Sequence, residues 1–173
     1  MPTESIMVRV VREAGNLTSL QASERFVSDL QEVRRITGSL RELGHRIVLT
    51  AGTFDLIHVG HARYVMRAKQ HGDVLIVGVD DDEKARNRKG QNRPVVPLDE
   101  RMEMLAHMRY VDLIVVKAIT QEKWQLIKVI RPDVLIAVEG TYSSEEVTAL
   151  GEFCGEVVIL PRQAETSTSA KAR

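Results

Sequence analysis

His58 and His61 stand one helical turn apart in the segment Gly52-Thr53-Phe54-Asp55-Leu56-Ile57-His58-Val59-Gly60-His61, directly after the apolar run Arg46 to Ala51. An apolar run that gives way to helical spacing predicts a strand-to-helix turn carrying both imidazoles. At the carboxyl end of a parallel strand, a helix N-terminus offers unpaired N–H groups and a partial positive charge to phosphate. Gly60 lets the backbone come close to a ligand, and imidazole nitrogens can donate to oxygens that gain charge during phosphorus chemistry. The segment therefore reads as a nucleotide-phosphate site. Capping or core packing is the ordinary reading of a lone histidine, but the preceding strand, with Thr53 and Asp55, tips the balance toward function. A zinc site is disfavoured, because His-x-x-His without acidic or cysteine ligands nearby falls short of a metal set.

Three further stretches carry chemistry. Lys84, Arg86, Arg88, Lys89 and Arg93 make a positive connection behind the acidic run Asp80 to Glu83; most of these charges are expected to be solvated. Arg101 is expected to pair with Asp99 or Glu103 on its own helix. Glu139-Gly140-Thr141-Tyr142 follows a strand aimed at the same crevice, where its backbone groups could read a nucleobase edge. Thr166-Ser167-Thr168-Ser169 is suited to cap a helix, and Arg162, shortly after the last strand, is a candidate phosphate ligand.

The histidine segment resembles the HxGH nucleotidyltransferases of the cytidylyltransferase-like superfamily, and the resemblance runs from about Leu40 onward. Lys89-Gly90, Arg93-Pro94-Val95-Val96-Pro97-Leu98-Asp99-Glu100-Arg101 and Thr166 to Ser169 look most like the adenylyltransferase domain of bacterial ADP-heptose synthases, with glycerol-3-phosphate cytidylyltransferase second. The resemblance implies transfer of a nucleoside monophosphate, AMP before CMP, from a Mg²⁺-bound nucleoside triphosphate to a phosphorylated small molecule such as a sugar phosphate. It implies His58, His61 and Lys89 as catalytic residues. It implies Gly52, Thr53, Phe54, Gly60, Arg93, Glu139, Gly140, Tyr142, Arg162, Ser167, Thr168 and Ser169 around the nucleotide, and no protein-bound metal. Arg93 has the alternative role of fixing its loop, and Asp55 either orients the motif or sits near the acceptor. The chain departs from the Val-Lys-Gly-Gly-Asp-Tyr pattern of the heptose synthases, reading Ile136-Ala137-Val138-Glu139-Gly140-Thr141-Tyr142. That departure keeps open a phosphoethanolamine-type cytidylyltransferase, an FAD synthetase-like enzyme or a nucleotide-binding module without turnover.

The elements that must position these residues alternate regularly. Strands are expected at Arg46–Ala51, Val74–Val79, Asp112–Val116, Val134–Val138 and Val157–Leu160. Helices are expected at Val59–His71, Leu98–Met108, Glu122–Ile130 and from near Ser143. Nearly continuous apolar strands, each followed by a helix, predict a Rossmann-like, doubly wound parallel α/β sheet of five strands with helices on both faces. Asp80 to Pro97 is expected to be a long charged loop. Residues 1–44 read as a mostly helical extension and 45–173 as the nucleotidyltransferase domain. In the extension, Ile6 to Val11 is a candidate short strand. Leu30, Val33, Leu40 and Leu43 suggest one broken or two consecutive amphipathic helices stepping near Gly38. Their stripe is expected to cover the domain's own sheet, with a homodimer contact as the alternative.

The 173 residues contain 24 Lys+Arg and 24 Asp+Glu, so no overall field draws the chain to nucleic acid or an anionic membrane. A single cysteine, Cys154, excludes an internal disulfide and is expected to be buried packing. Trp124 is likewise expected to pack. With no signal peptide and no run long enough to span a bilayer, a cytoplasmic location is expected.

Overall fold

The computed structural model describes residues 22–164. Its centre is a six-stranded, wholly parallel sheet in the order β1-β4-β3-β2-β5-β6. The strands are β1 Phe26–Val27, β2 Ile47–Gly52, β3 Val74–Asp80, β4 Leu113–Lys117, β5 Val134–Val138 and β6 Glu156–Leu160. The helices are α1 Leu30–Glu42, α2 Val59–Lys69, α3 Asp82–Lys89, α4 Leu98–Ala106, α5 Gln125–Ile130 and α6 Ser144–Leu150.

Side chains alternate across the pleat and sort the core into two layers. Ile47, Leu49, Val74, Ile76, Leu113, Val115 and Leu135 face α1, α5 and α6 through Val33, Ile36, Leu40, Leu126, Ile130 and Leu150. Val48, Leu75, Val77, Val79, Ile114, Val134 and Ile136 face α2 and α4 through Tyr64, Val65, Ala68 and Leu105. Burial on both faces is why these strands read as continuous apolar runs. Cys154 and Trp124 belong to the first layer, Trp124 beside Phe153.

Three expectations need correction. The sheet has six strands rather than five: Phe26 and Val27 register with Ile114 and Val115 at its edge. Two residues are too few to show a strand period. The stripe behind them is neither broken nor doubled. Asp29 caps α1 by accepting from the Gln31 amide at 3.0 Å, and the helix runs on through Gly38, whose missing Cβ would meet nothing within 4 Å. The connection after β3 is no open loop either, since it contains α3. Its acidic first turn and basic last turn oppose the helix dipole favourably, and Asp81 caps it by accepting from the Lys84 amide at 2.7 Å. The candidate strand Ile6 to Val11 lies outside the described residues.

Candidate active site at the carboxyl edge of β2

From β2 the chain crosses to β3 on one side and returns later to β5 on the other, so the sheet order reverses at β2. The carboxyl ends of β2 and β5 splay apart there, and ligands of open α/β sheets bind in that crevice. A cleft of about 500 Å³ occupies it.

Its floor is a tight, strained turn. Phe54 and Leu56 adopt left-handed backbone conformations, with φ of 53° and 46°, each costing about 1–3 kcal/mol in a residue other than glycine. Surrounding polar contacts hold the turn in place. The buried Asp55 carboxylate accepts from the Val96 amide at 3.0 Å, from the Val95 amide at 3.0 and 3.1 Å, and from Arg93 Nη1 at 2.8 Å. Burial alone would raise the Asp55 carboxyl, but those amides and the guanidinium outweigh it and hold it below its ordinary value. Arg101, only 1 % exposed, donates to the Thr53 carbonyl, to the Asp80 carbonyl at 3.0 Å, to the Val96 carbonyl at 2.9 Å and to Asp82 at 2.6 Å. This corrects the expected pairing with Asp99 or Glu103. A buried guanidinium must satisfy its N–H groups, and the carbonyls at the ends of β2 and β3 supply the acceptors.

The two imidazoles rise from this floor at the start of α2. His58 is the N-cap: its Nδ1 accepts from the Gly60 amide at 3.1 Å, while His61 Nδ1 accepts from the His58 amide at 3.2 Å. The rings lie 4.2 Å apart. Because each Nδ1 is an acceptor, each neutral ring carries its proton on Nε2, an assignment made from the hydrogen-bond network. Burial, then the neighbouring His58 and Lys89, lower the His61 imidazole to about 4. It is thus a neutral donor at physiological pH. Gly60 fits because a Cβ there would stand 2.8 Å from His58 Cε1.

Among the residues expected at the site, Gly52, Thr53, Phe54, His58, Gly60, His61, Lys89, Gly140 and Arg162 line the cleft. Burial, then Arg88 beside it, lowers the Lys89 ammonium. Asp55 and Arg93 lie beneath as a mutual ion pair. Glu139 is exposed outside the cleft lining, its amide donating to the Leu160 carbonyl at 3.1 Å, and Tyr142 packs against the core layer that holds α1. Ser167, Thr168 and Ser169 lie outside the described residues. The cleft also takes in Tyr64, Thr141 and Arg88. Tyr64 shares a 2.7 Å hydrogen bond with Thr50, and burial pushes its phenol up to about 12. The buried role of Arg101 had a sequence signal that pair-spotting missed: it falls within the apolar stripe Leu98, Met102, Leu105 of α4.

A family model described as Cytidylyltransferase-like matches residues 49–170, which include the carboxyl-terminal part of β2, both histidines and the cleft behind them. The chain belongs to the cytidylyltransferase-like family. Its relatives include the Bifunctional protein HldE of a Nitratiruptor species, 37% identical over 148 residues, and that of Desulfatibacillum aliphaticivorans, 36% identical over 151. Each alignment covers 86% of this chain but only 31% and 30% of the respective relatives, so the chain spans about a third of their length. Among solved structures, the lipopolysaccharide core biosynthesis protein from Thermoplasma volcanium is 25% identical with a TM-score of 0.58, covering 72% of this chain and all of that one. Pantoate-beta-alanine ligase from Francisella tularensis shares the fold, with a TM-score of 0.62 at 16% identity, over 86% of this chain and 72% of that one. No helix among the described residues is long and apolar enough to cross a membrane.

Proposed function

We propose that this cytidylyltransferase-like chain is a cytoplasmic nucleotidyltransferase that moves AMP from ATP to the phosphate of a sugar phosphate. An acceptor phosphate oxygen attacks the α-phosphorus in line, the bond from that phosphorus to the bridging oxygen breaks, and pyrophosphate leaves. The observation that carries this reading is the pair of imidazoles at the start of α2, each with Nδ1 engaged by the backbone and the proton left on Nε2. Such donors, fixed beforehand, stabilise charge that grows on α-phosphate and bridging oxygens without giving up a proton. Lys89 and Arg162 add positive charge to the same cleft. Ser167, Thr168 and Ser169 would complete the hold on the triphosphate. The resemblance of Lys89-Gly90 and of Arg93 to Arg101 to the adenylyltransferase domain of ADP-heptose synthases favours a sugar-phosphate acceptor and ATP.

The chemistry of the lining bears on the metal. None of the described lining residues is a carboxylate, and no group of His, Cys, Asp and Glu among the described residues is gathered to hold an ion. Mg²⁺ fits this cleft as a companion of the triphosphate, held by phosphate oxygens and water, where it would neutralise charge.

Pyrophosphate release tests the proposal, with Mg²⁺ and each of ATP, CTP, GTP and UTP run against sugar phosphates, glycerol 3-phosphate, phosphoethanolamine, phosphocholine, FMN and nicotinamide mononucleotide. Release that requires ATP and a sugar phosphate is expected. Release with CTP alone would make the chain a cytidylyltransferase, and nucleotide binding without release from any pair would overturn the transferase.

A further inference from the structure

Asp80, the last residue of β3, has a carboxylate that is 0 % exposed yet shared between two cations. Arg88 Nη2 lies 3.0 Å from Oδ2, and Lys117 Nζ lies 3.4 Å from Oδ1 as an ion pair without a hydrogen bond. Thr53 binds the same assembly from β2: its Oγ1 donates to Asp80 Oδ2 at 3.1 Å and accepts from Arg88 Nη2 at 2.9 Å. One edge of the Arg88 guanidinium is thus fixed by two contacts. The side chain is nevertheless 51 % exposed and forms part of the cleft wall, and its Nε and Nη1 have no hydrogen-bond partner among the described residues. An ordinary solvated arginine needs no fully buried carboxylate to aim it, and burying such a carboxylate is costly. One anion between two cations also leaves an excess positive charge at this end of the cleft, suited to a dianion.

Building on the transferase reading, we propose that Arg88 grips the phosphate of the acceptor, and that Asp80 and Thr53 are positioning residues for its guanidinium. The sheet order argues for the acceptor rather than the nucleotide. Gly140, Thr141 and Arg162 follow β5 and β6 on one side of β2, whereas Asp80 and the α3 that bears Arg88 follow β3 on the other. The histidine pair, directly after β2, stands between them. In-line displacement puts the attacking and leaving oxygens on opposite sides of the α-phosphorus. A nucleotide in the crevice between β2 and β5 therefore leaves the β3 end to the attacking phosphate. Arginine suits this task, because its planar fork meets two phosphate oxygens at once.

The test compares wild type with Arg88→Met, Arg88→Lys and Asp80→Asn. With the substrate pair found for wild type, Arg88→Met is expected to raise the acceptor KM about 10- to 100-fold, while ATP affinity measured by calorimetry without acceptor changes less than about threefold. Arg88→Lys should fall between, since it keeps the charge and loses the fork. Asp80→Asn should raise the acceptor KM on its own and add little in the Arg88→Met background, the signature of one coupled device. A second readout needs no turnover: inorganic phosphate titrated into the protein saturated with a non-hydrolysable ATP analogue should bind wild type and bind Arg88→Met at least about tenfold more weakly. An unchanged acceptor KM, an equal loss of ATP affinity, or phosphate binding indifferent to Arg88 would each overturn the assignment. Phosphate binding that depends on Arg88 without any pyrophosphate release would overturn the transferase and leave the grip standing.

Discussion

A histidine that stabilises a phosphate oxygen must present a proton on the ring nitrogen facing the ligand and must keep doing so across the working pH range. His61 meets both conditions by different means. The His58 amide occupies Nδ1, which fixes the proton on Nε2, and burial holds the imidazole near 4 rather than its ordinary 6.5. The consequence is that His61 contributes no step near neutrality to the pH profile. His61 is expected to add no acid limb to the rate at saturating substrate between neutral pH and about pH 5, and His61→Ala to lower that rate by about two to three decades with unchanged folding. Stopped assays of pyrophosphate across that range check both, and an acid limb near 6.5 that disappears in the variant would refute the neutral-donor role. Stability follows the same shift with a definite sign. Between 6.5 and about 4 the unfolded chain takes up a proton at this position while the native chain does not, so this group costs stability as the pH falls through that window. The histidines, Lys89 and the glycines were legible because motif spacing is local. The supports beneath them were not: Asp55 finds Val95 and Arg93, and Arg101 finds Thr53 and Asp80, across separations that no spacing rule spans.

At the scale of elements, the start of α2 joins a capping requirement to the catalytic role proposed for its histidines. Alanine in place of glycine within a helix ordinarily gains about 1 kcal/mol, and by propensity alone Gly60→Ala would be harmless. The added Cβ, however, would lie 2.8 Å from His58 Cε1, 3.0 Å from His58 Nδ1 and 3.0 Å from Ala164 Cβ. The His58 ring, tied by its own bond to the Gly60 amide, has to move. Gly60→Ala is thus expected to leave the melting temperature within a few degrees of wild type and to lower turnover by about tenfold or more. Paired thermal melts and rates decide it, and normal turnover would mean that the position of His58 is unimportant. Elements differed in how plainly the sequence announced them. β2 to β6 lie within one residue of the expected bounds at each end, because burial on both faces leaves an uninterrupted apolar run in β2 to β5, and β6, although mostly open to solvent, keeps the apolar run Val157 to Leu160. α3 went unseen because Ala85 is its sole buried residue, so it has no apolar face to give a period; its caps and charge order hold it instead.

The whole molecule raises the question of where its folding unit begins, since composition and motif place the chemistry after residue 44. The packing argues for a larger unit. α1 lies on the sheet with Val33, Ile36 and Leu40 almost completely buried among Ile47, Leu49, Ile76 and Leu126, and Val27 joins them from β1. Arg41 Nη2 also donates to the carbonyls of Ile130 and Arg131, both at 3.0 Å, tying the helix to the end of α5. Burying side chains of this size contributes about 1.5–3 kcal/mol each, or roughly 6–12 kcal/mol together. That is comparable to the whole stability of an ordinary domain, about 5–15 kcal/mol. Removing residues 1–44 would bare the α1 side of β2, β3 and β4 to water and open the β4 edge that β1 now pairs. A chain of residues 45–173 is therefore expected to lose its cooperative urea transition, whereas the full chain is expected to unfold in one step. A chain beginning at Ala22, which keeps β1 and α1, should retain that transition with a midpoint close to that of the full chain. Circular dichroism on the three lengths separates the cases. A cooperative transition in residues 45–173 at near-native stability would show that the N-terminal segment is an accessory cover, leaving the nucleotide cleft to a core that folds without it.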